Sequence, residues 1–310
     1  MSLKLSFLMA AHNEEKIIKE TLENLSKLPW DNYEVILGLD GCTDNTEEIV
    51  KKYVKKDSKK FKYFKLNLRS GKPAVINNII KHASGEIVVI NDADWIFRVA
   101  NKKSLSEFIS IFENQKIGGI AESFPVEWDL DKIKRGNLGL KMVAYSSYFW
   151  LNFQKERYTK KEGKVLYLTS SKMFLTNVFR RKLYQENSSL GDDFERTFDI
   201  MKEGYSIAIP EKITGPRMVA VYDNVSVRDL LKQKIRTSIA RKQIADEGEK
   251  LTLTGYYIPA VGYIFRNSWK MGIGVGFIVS LWLGITVFGT MLSHFKKMDT
   301  KKGWTLRMRR

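Results

Sequence analysis

IVVINDADW, residues 87 to 95, runs four β-branched apolar residues into an asparagine and two aspartates separated by one alanine. An unbroken apolar run of this length suits a strand covered on both faces, as in a parallel sheet, and the polar residues mark where it ends. In extended backbone residues i and i+2 point the same way, so Asp92 and Asp94 can face one cleft. Two carboxylates held close raise each other's pKa unless a cation sits with them. Mg²⁺ or Mn²⁺, which prefer carboxylate and phosphate oxygens, bridging the pair to a diphosphate is the simplest resolution. A lone D-x-D is common by chance, and Asp and Asn also favour turns, so the rest of the chain has to decide.

Working outward, short β-rich runs alternate with helical patterns: LSFLMA (5–10) then KIIKETLENLSKL (16–28), and YEVILGLD (33–40) then NTEEIVKKYVKK (45–56). FKYFKL (61–66) then KPAVINNIIKHA (72–83), and EIVVIND (86–92) then SLSEFISIFEN (104–114), continue the series. Such βα alternation implies a mostly parallel sheet flanked by helices. In the first helix Ile17, Ile18, Thr21, Leu22, Leu25 and Leu28 form one stripe, with Asn13 as the expected N-cap. In open α/β sheets ligands sit beyond the carboxyl ends of the strands. The polar residues collected there are His12, Asn13 and Glu14, then Asp40, then Lys72, then Asp92 and Asp94.

The chain has 310 residues, 44% of them hydrophobic, enough for one large domain with an appendage. Lys and Arg number 52 against 35 Asp and Glu, a net +17 that suits an anionic partner: nucleic acid, acidic lipid or a phosphorylated substrate. The single cysteine, Cys42, excludes an intrachain disulfide and agrees with a reducing compartment. The first apolar run is too short for a signal peptide and is read as a strand. GIGVGFIVSLWLGITVFGTMLS, 272 to 293, carries no charge over a length that crosses hydrocarbon as a helix, and is the expected membrane segment. The alternative for it is a buried core helix. LTLTGYYIPAVGYIF, 251 to 265, is apolar but short and broken by Gly255, Pro259 and Gly262, as a segment lying in the interface would be. The basic tail KKMDTKKGWTLRMRR favours the cytosolic side, which would require two crossings if the N-terminal domain is cytosolic too.

AHNEE (11–15), LDGCTDNT (39–46), GKPAVINN (71–78), NDADW (91–95) and GDDFERTFDIMKEGYSIAIPE (191–211) resemble, in order and spacing, the motifs of the family-two glycosyltransferases. The resemblance spans about residues 3 to 240 and implies a GT-A fold: a Rossmann-like, mostly parallel central sheet flanked by helices, here with a C-terminal membrane helix or hairpin. It divides the chain into a nucleotide-sugar glycosyltransferase domain, 1–230, and an interfacial and transmembrane region, 231–310. It further implies that Ala10, His12, Glu14 and Asp40 hold the nucleotide base and ribose, and that Lys72 approaches the phosphates. Asp92 would meet the ribose or the metal shell, Asp94 the metal, Mn²⁺ or Mg²⁺, and Asp193 would be the catalytic base of an inverting displacement. LLKQKIRTSIARKQ, 230 to 243, resembles the Q-x-x-R-W element of related synthases, with Gln233 and Arg236 as substrate-binding residues but Thr237 in place of tryptophan. That departure speaks against processive synthesis of the cellulose, hyaluronan or chitin type, as does the small number of apolar helices. Lys232, Lys234, Arg241 and Lys242 read equally well as a basic interfacial helix. Ala10 and Cys42 depart from the usual proline and serine.

A carboxylate within reach of a hydroxyl can take its proton while a metal and cations neutralise the leaving diphosphate. NLGLKMVAYSSYFWLNFQKERY, 137 to 158, mixes aromatic, aliphatic and basic residues as an interfacial helix would, or as a core helix beneath the site would. With the membrane segment and the positive charge, the expected acceptor is a polyprenyl or dolichyl phosphate or a lipid-linked saccharide. The expected location is the cytosolic face of a plasma membrane or endoplasmic reticulum, in lipid-linked glycan assembly or protein glycosylation. A nucleic-acid-binding protein would leave the strand-end carboxylates unexplained. A sugar nucleotidyltransferase would need a glycine-rich phosphate loop where AAHNEE stands.

Overall fold

A computed structural model describes residues 3–172, 174–186, 191–211, 215–245 and 252–295. The first half alternates as expected: β1 (Leu5–Ala11), α1 (Ile18–Ser26), β2 (Tyr33–Asp40), α2 (Thr46–Lys56), β3 (Phe61–Leu66), α3 (Lys72–Ile79), β4 (Ile87–Ile90), β5 (Trp95–Arg98), α4 (Lys102–Ser110) and β6 (Ile117–Ile120). The second half continues with α5 (Leu130–Arg135), α6 (Leu138–Tyr158), β7 (Thr159–Glu162), β8 (Val165–Leu168), β9 (Val178–Arg180), α7 (Asp192–Lys202), β10 (Ser206–Ile209), β11 (Arg217–Ala220), α8 (Val227–Ala245), α9 (Ile258–Met271) and α10 (Ile273–Ser293).

Nine strands form one sheet in the order β3-β2-β1-β4-β9-β6-β10-β8-β7, and β11 pairs with β5 in a second, two-stranded sheet. The β3-β2-β1-β4 half is parallel throughout. The other half is mixed, because β9 runs antiparallel to both β4 and β6, and β8 runs antiparallel to β10 and β7. The order turns back on itself at β1 and β4, so the ends of those two strands open onto one crevice.

The largely apolar runs of β1 and β2 are explained by coverage on both faces, with every residue of each buried. Phe7 and Met9 point into one core with Ile18, Leu22 and Leu25 of α1, whereas the alternate residues Leu8 and Ala10 point into a second with Val75, Ile76 and Ile79 of α3. Full burial of each such aliphatic side chain stabilises by about 1.5–3 kcal/mol. The expected cap of α1 is absent. Ile17 occupies that position without a side-chain bond, and Asn13 sits in the left-handed region with φ 54°.

α6 is largely interior. Tyr145, Phe149, Phe153 and Tyr158 are buried between the sheet domain and the hairpin of α9 and α10, so of the two readings of this segment, interfacial or core, it is the core helix. At 14 residues α9 is about 21 Å long, short of the ~30 Å of hydrocarbon that a second crossing requires. α10 is the one helix among the described residues long and apolar enough to cross a membrane. The boundary expected at 230/231 falls inside α8. The basic tail from 296 onward lies outside the described residues.

Candidate active site

The strand ends are tied together before they reach the cavity. His12 Nδ1 lies 2.6 Å from the Asp40 carbonyl oxygen. Asn13 Oδ1 accepts from the Thr43 amide at 2.8 Å, and the Glu14 amide donates to Thr46 Oγ1 at 2.7 Å. Asn13 thus joins the β1 and β2 ends rather than capping α1. Asp40 is fully buried, and its carboxylate accepts from the Ser70 amide at 2.6 Å, the Ser70 hydroxyl at 2.9 Å and the Gly71 amide at 2.8 Å. Those bonds fix the turn into α3, where Gly71 has φ 94°, a conformation that suits glycine. Lys72, the next residue, is thereby aimed at the crevice. Ala10 packs in the core, and none of Ala10, His12, Glu14 and Asp40 lines the cavity described next.

Lys72, Asp92, Asp94, Asp193, Gln233 and Arg236 do line a single cavity of about 360 Å³. Lys72 Nζ lies 2.8 Å from Asp92 Oδ1 and 3.7 Å from Asp192 Oδ1. Burial opposes its charge, but Asp192 and Asp92 outweigh burial and raise its pKa. At the start of α7, Arg196 clamps Asp192 at 2.9 Å and donates to the Thr176 carbonyl at 2.9 Å and Asn177 Oδ1 at 3.0 Å. Burial works against the Asp192 anion, but Lys72 and Arg196 prevail and keep its pKa low. The neighbouring Asp193 is pushed the other way, up to about 6, by burial and then by the Asp192 charge. Adjacent carboxyls with opposite shifts separate into a permanent anion and a group able to carry a proton.

Glu122, absent from the expected site, stands in the cavity wall just after β6. It is 5% exposed, its Oε2 accepts from the Met218 amide at 3.3 Å, and burial, assisted by Asp193, pushes its pKa up to about 8. The far wall comes from α8, α6 and α10, including Lys234, Arg241, Trp150 and Trp282.

Two carboxylates, Asp92 and Asp94, suit a hard cation that completes its shell with substrate oxygens. Among the described residues no group of three or more His, Cys, Asp or Glu forms an all-protein metal cage.

Residues 6–186, more than half of the chain, match the family described as glycosyl transferase family 2. A stretch of 92 residues is 38% identical to poly-beta-1,6-N-acetyl-D-glucosamine synthase of Staphylococcus epidermidis, covering 30% of this chain and 22% of that relative. The fold is similar to mannosyltransferase PcManGT from Pyrobaculum calidifontis, solved with GDP-Man and Mn²⁺, at TM-score 0.53 and 18% identity over 99% of this chain and 84% of that one. It is also similar to S. aureus TarS 1-349 in complex with UDP-GlcNAc, at TM-score 0.50 and 18% identity over 93% and 82%. The family match over more than half of the chain shows the family, and the fold of the solved neighbours agrees with it: this chain belongs to glycosyl transferase family 2.

Proposed function

We propose that the chain is a metal-dependent, inverting glycosyltransferase that moves a sugar from a nucleoside-diphosphate donor to a lipid-linked acceptor on the cytosolic face of a membrane. The observation that carries this reading is the shared cavity. Its walls include the strand-end carboxylates on one side and the apolar helix α10, through Trp282 and Thr286, on the other. An acceptor seated there meets both the catalytic groups and the membrane-facing hairpin.

Asp193 takes the proton from the acceptor hydroxyl as the oxygen attacks the anomeric carbon. The new carbon–oxygen bond forms on the face opposite the one whose bond to the diphosphate breaks, and the electron pair leaves with the diphosphate. Lys72 and Arg236 offset charge growing on that leaving group. Mn²⁺ or Mg²⁺ held by Asp94 and Asp92 would supply further charge neutralisation there. Asp192, kept ionised by Lys72 and Arg196, positions both cations and leaves the proton transfer to Asp193.

Membrane attachment is supported by the outer face of the hairpin. Ile258, Val261, Phe265 and Trp269 of α9, with Phe277, Val287, Phe288 and Met291 of α10, are exposed, whereas Val279 and Trp282 turn inward. The hairpin packs along the domain through α6 and α8, so this outer face is the one that meets the membrane.

Synthesis of a polymer is the second reading, favoured by the stretch similar to the poly-N-acetylglucosamine synthase. Thr237, which lines the cavity in the stretch that resembles a Q-x-x-R-W element but lacks its tryptophan, weighs against it. The test is transfer of label from a panel of nucleotide sugars, with Mn²⁺, into material extractable by organic solvent from membranes carrying the protein. Label in the organic phase supports the lipid acceptor; label only in long water-soluble polymer contradicts it and favours the second reading.

A further inference from the structure

The cavity contains two cations that the reaction above does not use. Lys234 and Arg241 lie seven positions apart on α8, two turns along one face, and both line the cavity. Neither has a carboxylate partner among the described residues. Instead each rests on aromatic rings: Lys234 Nζ is 4.3 Å from the centre of the Trp282 ring, and the Arg241 guanidinium is 5.5 Å from that of Trp150. Burial, and then the charge of Arg241, pull the Lys234 pKa down to about 7. Two like charges drawn into a half-enclosed apolar space without a counter-ion are costly, and the cost is relieved when an anion binds between them.

A second observation points to the same ligand. Trp282 is 4% exposed and lines the cavity, yet among the described residues its indole Nε1–H has no hydrogen-bond partner, and neither has the buried Nε–H of Arg241. Buried donors are ordinarily satisfied, and the indole N–H beside the Lys234 ammonium and the Arg241 guanidinium forms a receptor for acceptor oxygens. Arg236 belongs to the opposite group: its charge helps to keep Asp192 ionised. Within the one cavity, Lys234 and Arg241 stand against Trp282 and Trp150, whereas Lys72 stands against Asp92 and Asp192.

We propose that Lys234, Arg241 and the Trp282 indole form a subsite for the phosphate of a lipid-borne acceptor, distinct from the place of the donor diphosphate. The inference rests on the transferase reading and specifies its acceptor. The phosphate is gripped beside α10 and is not itself the nucleophile, so the reacting group is a hydroxyl carried further along the acceptor, within reach of Asp193. A lipid-linked saccharide has this arrangement, whereas a bare lipid phosphate would place its only nucleophile in the wrong subsite.

The test uses the full chain in detergent and follows tryptophan fluorescence as polyprenyl phosphate, the matching polyprenol or inorganic phosphate is added, with Mn²⁺ and nucleoside diphosphate titrated separately. The account expects polyprenyl phosphate to bind at least tenfold more tightly than polyprenol. Lys234→Gln with Arg241→Gln should remove that preference at least tenfold, Arg241→Lys should retain most of it, and nucleoside diphosphate affinity should stay within about threefold in all variants. Equal binding of polyprenyl phosphate and polyprenol would overturn the subsite, as would a preference unchanged in the double variant. Inorganic phosphate binding as tightly as the lipid, and lost in the same variant, would keep the anion subsite but overturn its lipid source. Label transfer to a lipid acceptor that is unaffected by the double variant would overturn the subsite while leaving the transferase reading intact.

Discussion

Replacing Glu122 with glutamine should stabilise the protein, and by an amount that depends on pH. In the fold its carboxyl is raised from 4.5 to about 8 by burial, with the Asp193 charge adding to it, so the protonated form is the one the fold favours. The penalty is therefore absent well below pH 4.5, grows as pH rises from 4.5 to about 8, and is constant above that. Each pKa unit is worth about 1.4 kcal/mol, which sets the wild-type penalty at up to about 3 kcal/mol at pH 7 and about 5 kcal/mol above pH 8. Glutamine keeps an oxygen for the Met218 amide and has no charge to desolvate. Thermal unfolding in detergent and EDTA, from pH 5 to 9, should give nearly equal midpoints at pH 5. By pH 8.5 the variant should lead by roughly 10–20 °C, at about 2–4 °C per kcal/mol for a chain of this order of size. EDTA matters because a cation on Asp92 and Asp94 would itself favour the ionised form. Parallel curves for the two proteins across the whole range would refute the reasoning, since they would mean that Glu122 is solvated or already ionised in the fold.

Arg196→Met should cost about 3–5 kcal/mol in denaturant unfolding, because it strands the buried Asp192 carboxylate; a loss below about 1 kcal/mol would contradict the clamp. Asp94→Ala should remove the Mn²⁺-dependent part of nucleotide-sugar affinity measured by calorimetry, and equal affinities with and without Mn²⁺ in both proteins would refute its metal role. The kcat/KM profile should rise with pH as the Asp192–Asp193 pair loses its second proton, around pH 6, because a base works only when ionised. A flat profile between pH 5 and 7.5 would exclude Asp193 as that base.

The parallel half of the sheet was legible because β1, β2 and β4 are buried on both faces, which makes their sequences largely apolar, with Ser6, Glu34 and Asp40 the buried exceptions. β9, with three residues, and the four-residue β5, β7, β8 and β11 are too short to carry a period, and their pairings are set by tertiary contacts alone. Lys72, Asp92, Asp94 and Asp193 could be placed because strand-end position and motif spacing agree. Asp40 looked the same in sequence, yet its oxygens are taken up by Ser70 and Gly71, a difference that depends on where the β3–α3 turn folds back. Glu122 carried no signal, since one glutamate in AESFPVEW differs from a surface residue only in its burial. α6 was ambiguous because aromatic and aliphatic residues mixed with lysine serve a core and a membrane interface equally well, and packing of α9 and α10 against it decides for the core. Lys234 and Arg241 read as surface charge until α10 closed the cavity over them.

The central claim is that Asp193 is the base of a sugar transfer, and the most direct test is to measure nucleotide-sugar affinity and single-turnover transfer side by side in wild type and Asp193→Asn. Asparagine keeps the size of the side chain and leaves the Thr176 and Thr197 bonds to the residue's backbone carbonyl in place. The account predicts donor affinity within about threefold of wild type and transfer to a hydroxyl acceptor slowed by at least about 10²-fold. Transfer at the wild-type rate in a variant that still binds donor would contradict it.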